Sequence, residues 1–112
     1  MSPITTHVLD TSRGQPAAGV PVVLEIQAGG SWTELARGTT NADGRAPDLL
    51  PGGRLERAVY RLRFDTAAYF QACGVAGFYP AVSVVFEVRE AAEHHHVPLL
   101  LSPFGYSTYR GS

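Results

Sequence analysis

The sequence contains a single cysteine, Cys73, so no disulfide bond can form within the chain. It has no run of about 20 apolar residues of the kind that crosses a membrane. The N-terminus has no basic start followed by an apolar segment, which predicts that there is no secretory signal. From these absences we expect a protein that does not act in a membrane, and the cytoplasm is its default location.

An excess of charge of one sign is also missing. Nine basic and ten acidic side chains give a formal net charge of -1, and no basic stripe stands out in the sequence. Proteins that bind nucleic acids usually need such a stripe to contact phosphates. The composition therefore predicts that nucleic acid is not a partner.

The chain has 112 residues, of which 45% are hydrophobic and 17% charged. This composition is typical of a globular protein, and the length fits one domain over residues 1–112. A domain of this size buries roughly two-thirds of the surface that its unfolded chain exposes. It can therefore form a core without disulfide or metal crosslinks.

Alternation of apolar and polar residues with a period of two is the main structural signal, and it is typical of strands with one buried face. Three predicted buried faces consist of Val20, Val22, Leu24 and Ile26; Tyr60, Leu62 and Phe64; and Val82, Val84, Phe86 and Val88. Further strands are predicted near the N-terminus, over 94–101 and over 107–110, so the chain has about eight strands.

Turns and one helix separate these strands. Loops are predicted at 12–16, 29–31, 41–44 and 51–53, and Asp43-Gly44 is expected to supply the positive φ angles of a tight turn. Residues 65–74 break the alternation, and possible capping residues at their start and Gly74 at their end predict a short helix. Many short strands with one brief helix predict an all-β sandwich.

Histidine is the first candidate for chemistry, and the chain has His7, His94, His95 and His96. On a strand, His94 and His96 point to one face and His95 to the other. Two imidazoles on one face can bind a metal ion or activate water, whereas a solvated cluster at an edge is the simpler interpretation. His7 shares a strand face with Thr5, and taken alone it fits an ordinary half-buried histidine better than a functional one.

Other candidates lie in the turn after residue 43 and at the end of the sequence. Arg45 directly follows the Asp43-Gly44 pair, and by itself it fits an exposed arginine at a strand start. Residues 106–112 are aromatic and β-prone, unlike a frayed terminus, so we expect this tail to pack against the fold or another subunit. Cys73 is expected to be a buried, small apolar residue.

Three segments, in order, resemble the signatures of the 5-hydroxyisourate hydrolases, a transthyretin-related family. They are Thr5-Thr6-His7-Val8-Leu9-Asp10 with residues 14–20 after it, then Asp43-Gly44-Arg45, then His96-Val97-Pro98-Leu99-Leu100-Leu101-Ser102-Pro103 continuing to Tyr109-Arg110-Gly111-Ser112. The resemblance covers essentially the whole chain, and the terminal Tyr-Arg-Gly-Ser is its most specific part.

The resemblance implies a transthyretin-like (prealbumin-like) Greek-key β-sandwich with one short helix. It also implies a homotetramer, a dimer of dimers whose central channel holds the active sites. The catalytic residues implied by the motifs are His7, Arg45, His96 and Ser112, and Tyr109 is added to them as a substrate-binding residue. No cofactor or metal is expected, although three histidines could bind zinc adventitiously: His7, His94 and His96.

The reaction implied by the resemblance is hydrolysis of 5-hydroxyisourate to 2-oxo-4-hydroxy-4-carboxy-5-ureidoimidazoline in urate degradation. An imidazole would deprotonate the attacking water, and the Arg45 guanidinium would bind the anionic ring, stabilise the oxyanion and lower the pKa of a neighbouring histidine. The sequence does not distinguish whether His7 or His96 is the primary base. Two alternatives are a non-catalytic carrier of small aromatic ligands and a metal-dependent hydrolase with His7, His94 and His96 as ligands.

Overall fold

A computed structural model describes residues 2–47, 49–50 and 54–112. Within these ranges the chain forms two four-stranded sheets and one short helix. The predicted loop at 51–53 lies outside the described residues. The elements are β1 (Ile4–Asp10), β2 (Gln15–Pro16), β3 (Pro21–Ala28), β4 (Ser31–Thr39), β5 (Ala58–Phe64), α1 (Thr66–Cys73), β6 (Val82–Val88), β7 (His95–Ser102) and β8 (Gly105–Thr108).

The first sheet joins the two ends of the chain. Its strand order is β2-β1-β7-β8, and that of the second sheet is β4-β3-β5-β6, so the chain changes sheets after β2 and again after β6. Strands β1 and β7 run parallel, with Thr5 opposite His96 and His7 opposite Pro98. The first and third signature segments are therefore neighbours in space.

The core lies between the two sheets and is built from the faces that alternation predicted. Val22, Leu24 and Leu62 are fully buried, while Arg61 and Arg63 of the intervening positions are not. Such interdigitating inner faces are the usual core of a β-sandwich. The predicted all-β sandwich of about eight strands is thus confirmed.

The predicted helix is also confirmed, and its ends show why it forms. The Asp65 carboxylate caps α1 by accepting a hydrogen bond from the Ala68 N–H at 3.0 Å. Gly74 ends the helix in the left-handed region with φ of 68°, and its N–H donates to the Gln71 carbonyl. The single helix in the described ranges is too short to cross a membrane.

Several boundaries differ from the predictions. The predicted loop at 12–16 ends in β2, because Gln15 and Pro16 pair with the last two residues of β1. The strand predicted at 94–101 begins one residue later, and that predicted at 107–110 lies at Gly105–Thr108. The expectation that Cys73 is buried was wrong: it is the last residue of α1 and only partly buried, and its Sγ accepts a hydrogen bond from the Arg13 guanidinium at 3.6 Å.

Candidate active site

An open depression of about 640 Å³ lies on the outer face of the first sheet. Strand β1, the turn before Ala46, strand β7 and the end of the chain all contribute to it. Its walls are formed by Ser2, Thr5, Thr6, Arg45, Ala46, Pro47, His94, His96 and Ser112. Three of the four residues that the motifs implied as catalytic therefore meet at one place.

A threonine hydroxyl connects two histidines at the floor of this depression. Thr5 Oγ1 lies 2.8 Å from His96 Nδ1 and 3.0 Å from His94 Nε2. The two imidazole rings are nearly parallel, with centroids 6.3 Å apart. As predicted, His94 and His96 share one side of the strand, although His94 precedes β7 instead of belonging to it.

His95 has a different environment. It is 5% exposed, and its Nδ1 donates a hydrogen bond to the Glu93 carbonyl at 2.9 Å. Successive side chains of a strand point to opposite faces, so His95 faces the interior while His96 faces the depression. His95 is therefore not part of the site.

A turn held by Asn41 brings Arg45 to the depression. The Asn41 side-chain oxygen accepts hydrogen bonds from the N–H groups of Asp43 and Arg45, and the Asn41 carbonyl accepts one from Gly44. Gly44 alone supplies a positive φ, so the expectation of two such angles at Asp43-Gly44 was wrong. The Gly44 carbonyl then accepts from Val8 at 2.8 Å, which fixes Arg45 beside His7.

The tail beyond β8 pairs with β7 at His96 through an antiparallel bridge formed by Gly111. The Gly111 N–H donates to the His96 carbonyl at 2.9 Å. A Cβ added to Gly111 would lie 2.5 Å from His96 Cδ2, so only glycine allows this close approach. Arg110 pairs with Glu93 at 3.2 Å on the surface. The tail is therefore attached to the fold at Gly111, although most of its residues are exposed, and it brings Ser112 to the depression.

His7 lies beside the depression without forming its wall. It is half-buried on the same face of β1 as Thr5, and its backbone pairs with that of Arg45.

Burial lowers the pKa of His96 below 6.5, and the Arg45 cation, His94 and His7 lower it further. The direction of this shift agrees with the effect expected of Arg45, and it keeps His96 neutral at pH 7.

Tyr109, which the motifs implied as a substrate-binding residue, is not brought to this depression in the single chain. It lines a separate hollow between the sheet edges, together with His95, Val97 and residues of β6. The side chains of His95 and Val97 alternate with that of His96, so Tyr109 lies on the opposite side of β7.

Metal binding was also considered from the sequence. Within the part of the chain that the structure describes, no three His, Cys, Asp or Glu side chains are grouped so as to hold a metal ion. His7, His94 and His96 are therefore not grouped in this way within the single chain described.

The sequence did not single out Thr5 as a functional residue. Threonine is common in strands, so its presence in β1 carries no signal of its own. Its position could have marked it as a site residue, because Thr5 lies two residues before His7, on the same strand face and within the first signature.

The fold and the site together define a transthyretin-type β-sandwich with a histidine–arginine site on one sheet. The HIUase/Transthyretin family matches residues 4–111 of the chain. The chain therefore belongs to the HIUase/Transthyretin family, as the three segments predicted.

Individual relatives include 5-hydroxyisourate hydrolases and a transthyretin. The 5-hydroxyisourate hydrolase of Halalkalibacterium halodurans is 50% identical, and the match covers 97% of each chain. The solved Klebsiella pneumoniae 5-hydroxyisourate hydrolase is 36% identical over 97% of this chain and 98% of its own, with a TM-score of 0.85. Sea bream transthyretin, solved in complex with thyroxine, is 35% identical over 97% of this chain and 94% of its own, with a TM-score of 0.91.

Proposed function

We propose that this protein is a cofactor-independent hydrolase that converts 5-hydroxyisourate to 2-oxo-4-hydroxy-4-carboxy-5-ureidoimidazoline in urate degradation. The observation that carries the proposal is the meeting of His96, Arg45 and Ser112 at one depression, with the pKa of His96 lowered. The names of the similar hydrolases support this function over that of a carrier. Backbone similarity to transthyretin does not favour the carrier, because one fold supports many functions.

The first step is attack by water on the acyl carbon of the ring C–N bond. His96, aided by His7, takes a proton from the water, for which a neutral imidazole near pH 7 is well suited. The guanidinium of Arg45 binds the anionic ring and stabilises the negative charge that forms on the carbonyl oxygen. The Ser112 hydroxyl donates a hydrogen bond within the site.

The second step breaks the C–N bond. The imidazolium formed in the first step returns its proton to the departing ring nitrogen, and the acyl carbon becomes a carboxylic acid that ionises at neutral pH. One water molecule is consumed, and no electrons enter or leave. Tyr109 belongs to the proposal as a substrate contact only if a second subunit presents it.

The test follows 5-hydroxyisourate, made in situ by urate oxidase, through the decay of its absorbance. We expect His96→Ala, Arg45→Ala and Ser112→Ala each to lose most of the acceleration, since removal of a general base alone costs about 100-fold or more. Arg37→Ala and Ser31→Ala are matched controls, because both residues are exposed on β4 of the second sheet, away from the depression. Equal rates for the site variants and their controls would contradict the assignment.

Assembly forms a further part of the proposal, as a homotetramer made of two dimers. Strands β6 and β8 each lie at one edge of their sheet, and a strand at a sheet edge readily pairs with another chain. Phe104 is 76% exposed in the turn between β7 and β8, which supports a contact there. Light scattering after size exclusion should give about four times the 12.0 kDa chain mass, and a monomer would refute the assembly.

The cellular setting of the proposal is a cytoplasmic enzyme in which residues 1–112 act as one domain. The pairing of β1 with β7 ties both ends of the chain into one sheet, which supports a single unit. The free thiol of Cys73 is compatible with a reducing compartment. Cell fractionation with an antibody against the chain tests the location, and enrichment outside the cytoplasmic fraction would contradict it.

A further inference from the structure

The hydrogen-bonding capacity of Thr5 limits the states of the two histidines that it joins. A hydroxyl group has one hydrogen to donate, while its oxygen can also accept. Thr5 Oγ1 is within hydrogen-bond distance of His96 Nδ1 and His94 Nε2 at the same time. It can therefore donate to one ring nitrogen and must accept from the other if both bonds form.

Two arrangements satisfy this limit, and they differ in what His96 offers to the depression. If Thr5 donates to His94, then His96 Nδ1 carries a hydrogen, and its Nε2 keeps a free lone pair. If Thr5 donates to His96 Nδ1, a neutral His96 carries its hydrogen on Nε2. Because Nδ1 is engaged by Thr5, only Nε2 is available to accept a proton from water.

We propose that Thr5 is a positioning residue that holds His96 in the tautomer with hydrogen on Nδ1, by donating its own hydrogen to His94. This inference rests on the proposed function, since it gives His96 Nε2 the role of base. The arrangement persists through the reaction: when Nε2 gains the proton of water, the Nδ1–H bond to Thr5 Oγ1 remains. No hydrogen has to move between the three residues.

The surroundings of the three groups favour a fixed arrangement. Thr5 and His96 are directly paired on β1 and β7, so the backbones that carry them cannot separate without breaking the sheet. The close approach of Gly111 limits rotation of the His96 ring on its other side. An orienting partner that fixes the tautomer of a catalytic histidine is an established device in enzymes.

The experiment compares two substitutions of Thr5 and one matched control. Thr5→Val keeps the shape of the side chain but removes its hydroxyl, while Thr5→Ser keeps the hydroxyl. Thr11→Val is the control. The Thr11 hydroxyl also connects the end of β1 to β7, by donating a hydrogen bond to the Leu101 carbonyl at 3.2 Å, but this bond lies far from the depression. A thermal melt of each variant checks that it folds.

The primary readout needs no substrate. In protein labelled with ¹⁵N-histidine, long-range ¹H–¹⁵N correlation spectra report which ring nitrogen of His96 carries hydrogen, and loss of signals in His96→Asn assigns them. We expect hydrogen on Nδ1 in the wild type, Thr5→Ser and Thr11→Val, and a shift towards Nε2 in Thr5→Val. His94→Leu should shift His96 in the same direction, because the hydroxyl can then donate to Nδ1.

The second readout is hydrolysis of 5-hydroxyisourate. Thr5→Val should lower kcat by roughly 10- to 100-fold with little change in KM, because it affects the base and not the binding groups. Thr5→Ser should retain most of the wild-type kcat. A Thr5→Val variant that shifts the tautomer but keeps the wild-type kcat would overturn the positioning role.

The spectra separate failure of this inference from failure of the proposed function. Hydrogen on Nε2 in the wild type, or the same tautomer in Thr5→Val as in the wild type, overturns the inference even in a fully active hydrolase. A wild type that does not hydrolyse 5-hydroxyisourate but has the expected tautomers would refute the proposed function. In that case the control of His96 by Thr5 would stand.

Discussion

Substitution of Gly111 by alanine is the sharpest perturbation that the structure offers. The new Cβ would lie 2.5 Å from His96 Cδ2 and 3.3 Å from both His96 Cγ and Pro98 Cγ. Carbon atoms in favourable contact are about 3.5–4.0 Å apart, so a gap of roughly 1 Å must open. Either the imidazole ring turns away, or the tail lifts and takes Ser112 with it.

Both adjustments damage the site more than they damage the fold. A misplacement of about 1 Å in a catalytic group can cost roughly 100-fold in rate. The tail is exposed over most of its length, so we expect the free energy of unfolding to change by less than about 1 kcal/mol. Gly111→Ala should therefore lose about 100-fold in kcat/KM while keeping a melting temperature close to that of the wild type.

The assay pairs hydrolysis rates with thermal melts, and Gly105→Ala is the matched control. That substitution places a Cβ 3.7 Å from Ser102 Oγ, an ordinary contact, at the other end of the same C-terminal segment. We expect it to leave the rate unchanged. A folded Gly111→Ala protein with a rate within about twofold of the wild type would refute the argument from close approach.

Three further predictions concern the charge at the site and the stability of the fold. Arg45→Gln should raise the pKa of His96, so the acid limb of the profile of kcat/KM against pH should move to higher pH. Arg45→Lys keeps the positive charge and should leave this limb near its wild-type position. An acid limb that does not move in Arg45→Gln would contradict a lowering of the His96 pKa by Arg45. Tyr69→Phe removes the hydroxyl that donates to the buried Asp10 carboxylate at 2.7 Å, and it should lower the free energy of unfolding at pH 7 by about 1.5–3 kcal/mol in denaturant titrations. Burial raises the pKa of Asp10, but hydrogen bonds outweigh it and hold this pKa below 3.8. The difference in free energy of unfolding between Tyr69→Phe and the wild type should therefore shrink as the pH falls through the lowered pKa. A difference that stays constant with pH would contradict a role for the ionised Asp10 carboxylate. Gly44→Ala should cost more than about 1 kcal/mol, because φ is positive there and a Cβ would overlap the Val8 carbonyl; an unchanged melting temperature would be inconsistent with this geometry.

Much of the fold follows from local patterns. The alternation in β3, β5 and β6 identified most of the buried residues, because a strand with one buried face repeats every two residues. Ile26 and Phe86 are only partly buried, and Glu25 is buried next to a register shift in β3 that interrupts the alternation. Asp65 and Gly74 marked the ends of α1 because each satisfies backbone groups that the helix leaves free. These features depend only on neighbouring residues, so they can be read from the sequence.

The pairing of β1 with β7 could not be predicted in the same way. Alternation gives the buried face of each strand but not its partner, and these two strands are about 90 residues apart. The bridge from Thr5 to His94 and His96 exists only because of that pairing. Local patterns could therefore identify the histidines as candidates, while the threonine between them became visible only in three dimensions.

The resemblance to a family accounts for the remaining part of the site. Arg45 and Ser112 have no local pattern that marks them as functional, and only their motifs brought them forward. The tail shows that a motif does not predict the position of each of its residues. Ser112 lies at the depression, whereas Tyr109 of the same motif lies on the other side of β7. Membership in a motif therefore does not determine which face of the sheet a residue serves.

The rate of 5-hydroxyisourate decay with and without the wild-type protein decides whether this chain is a hydrolase. Urate oxidase would generate the compound until urate is exhausted, and the absorbance would then be followed after addition of protein or buffer. We expect a decay at least about 100-fold faster with micromolar protein than with buffer, and loss of this acceleration in His96→Ala. A decay no faster than the spontaneous reaction, measured with folded protein, would contradict it.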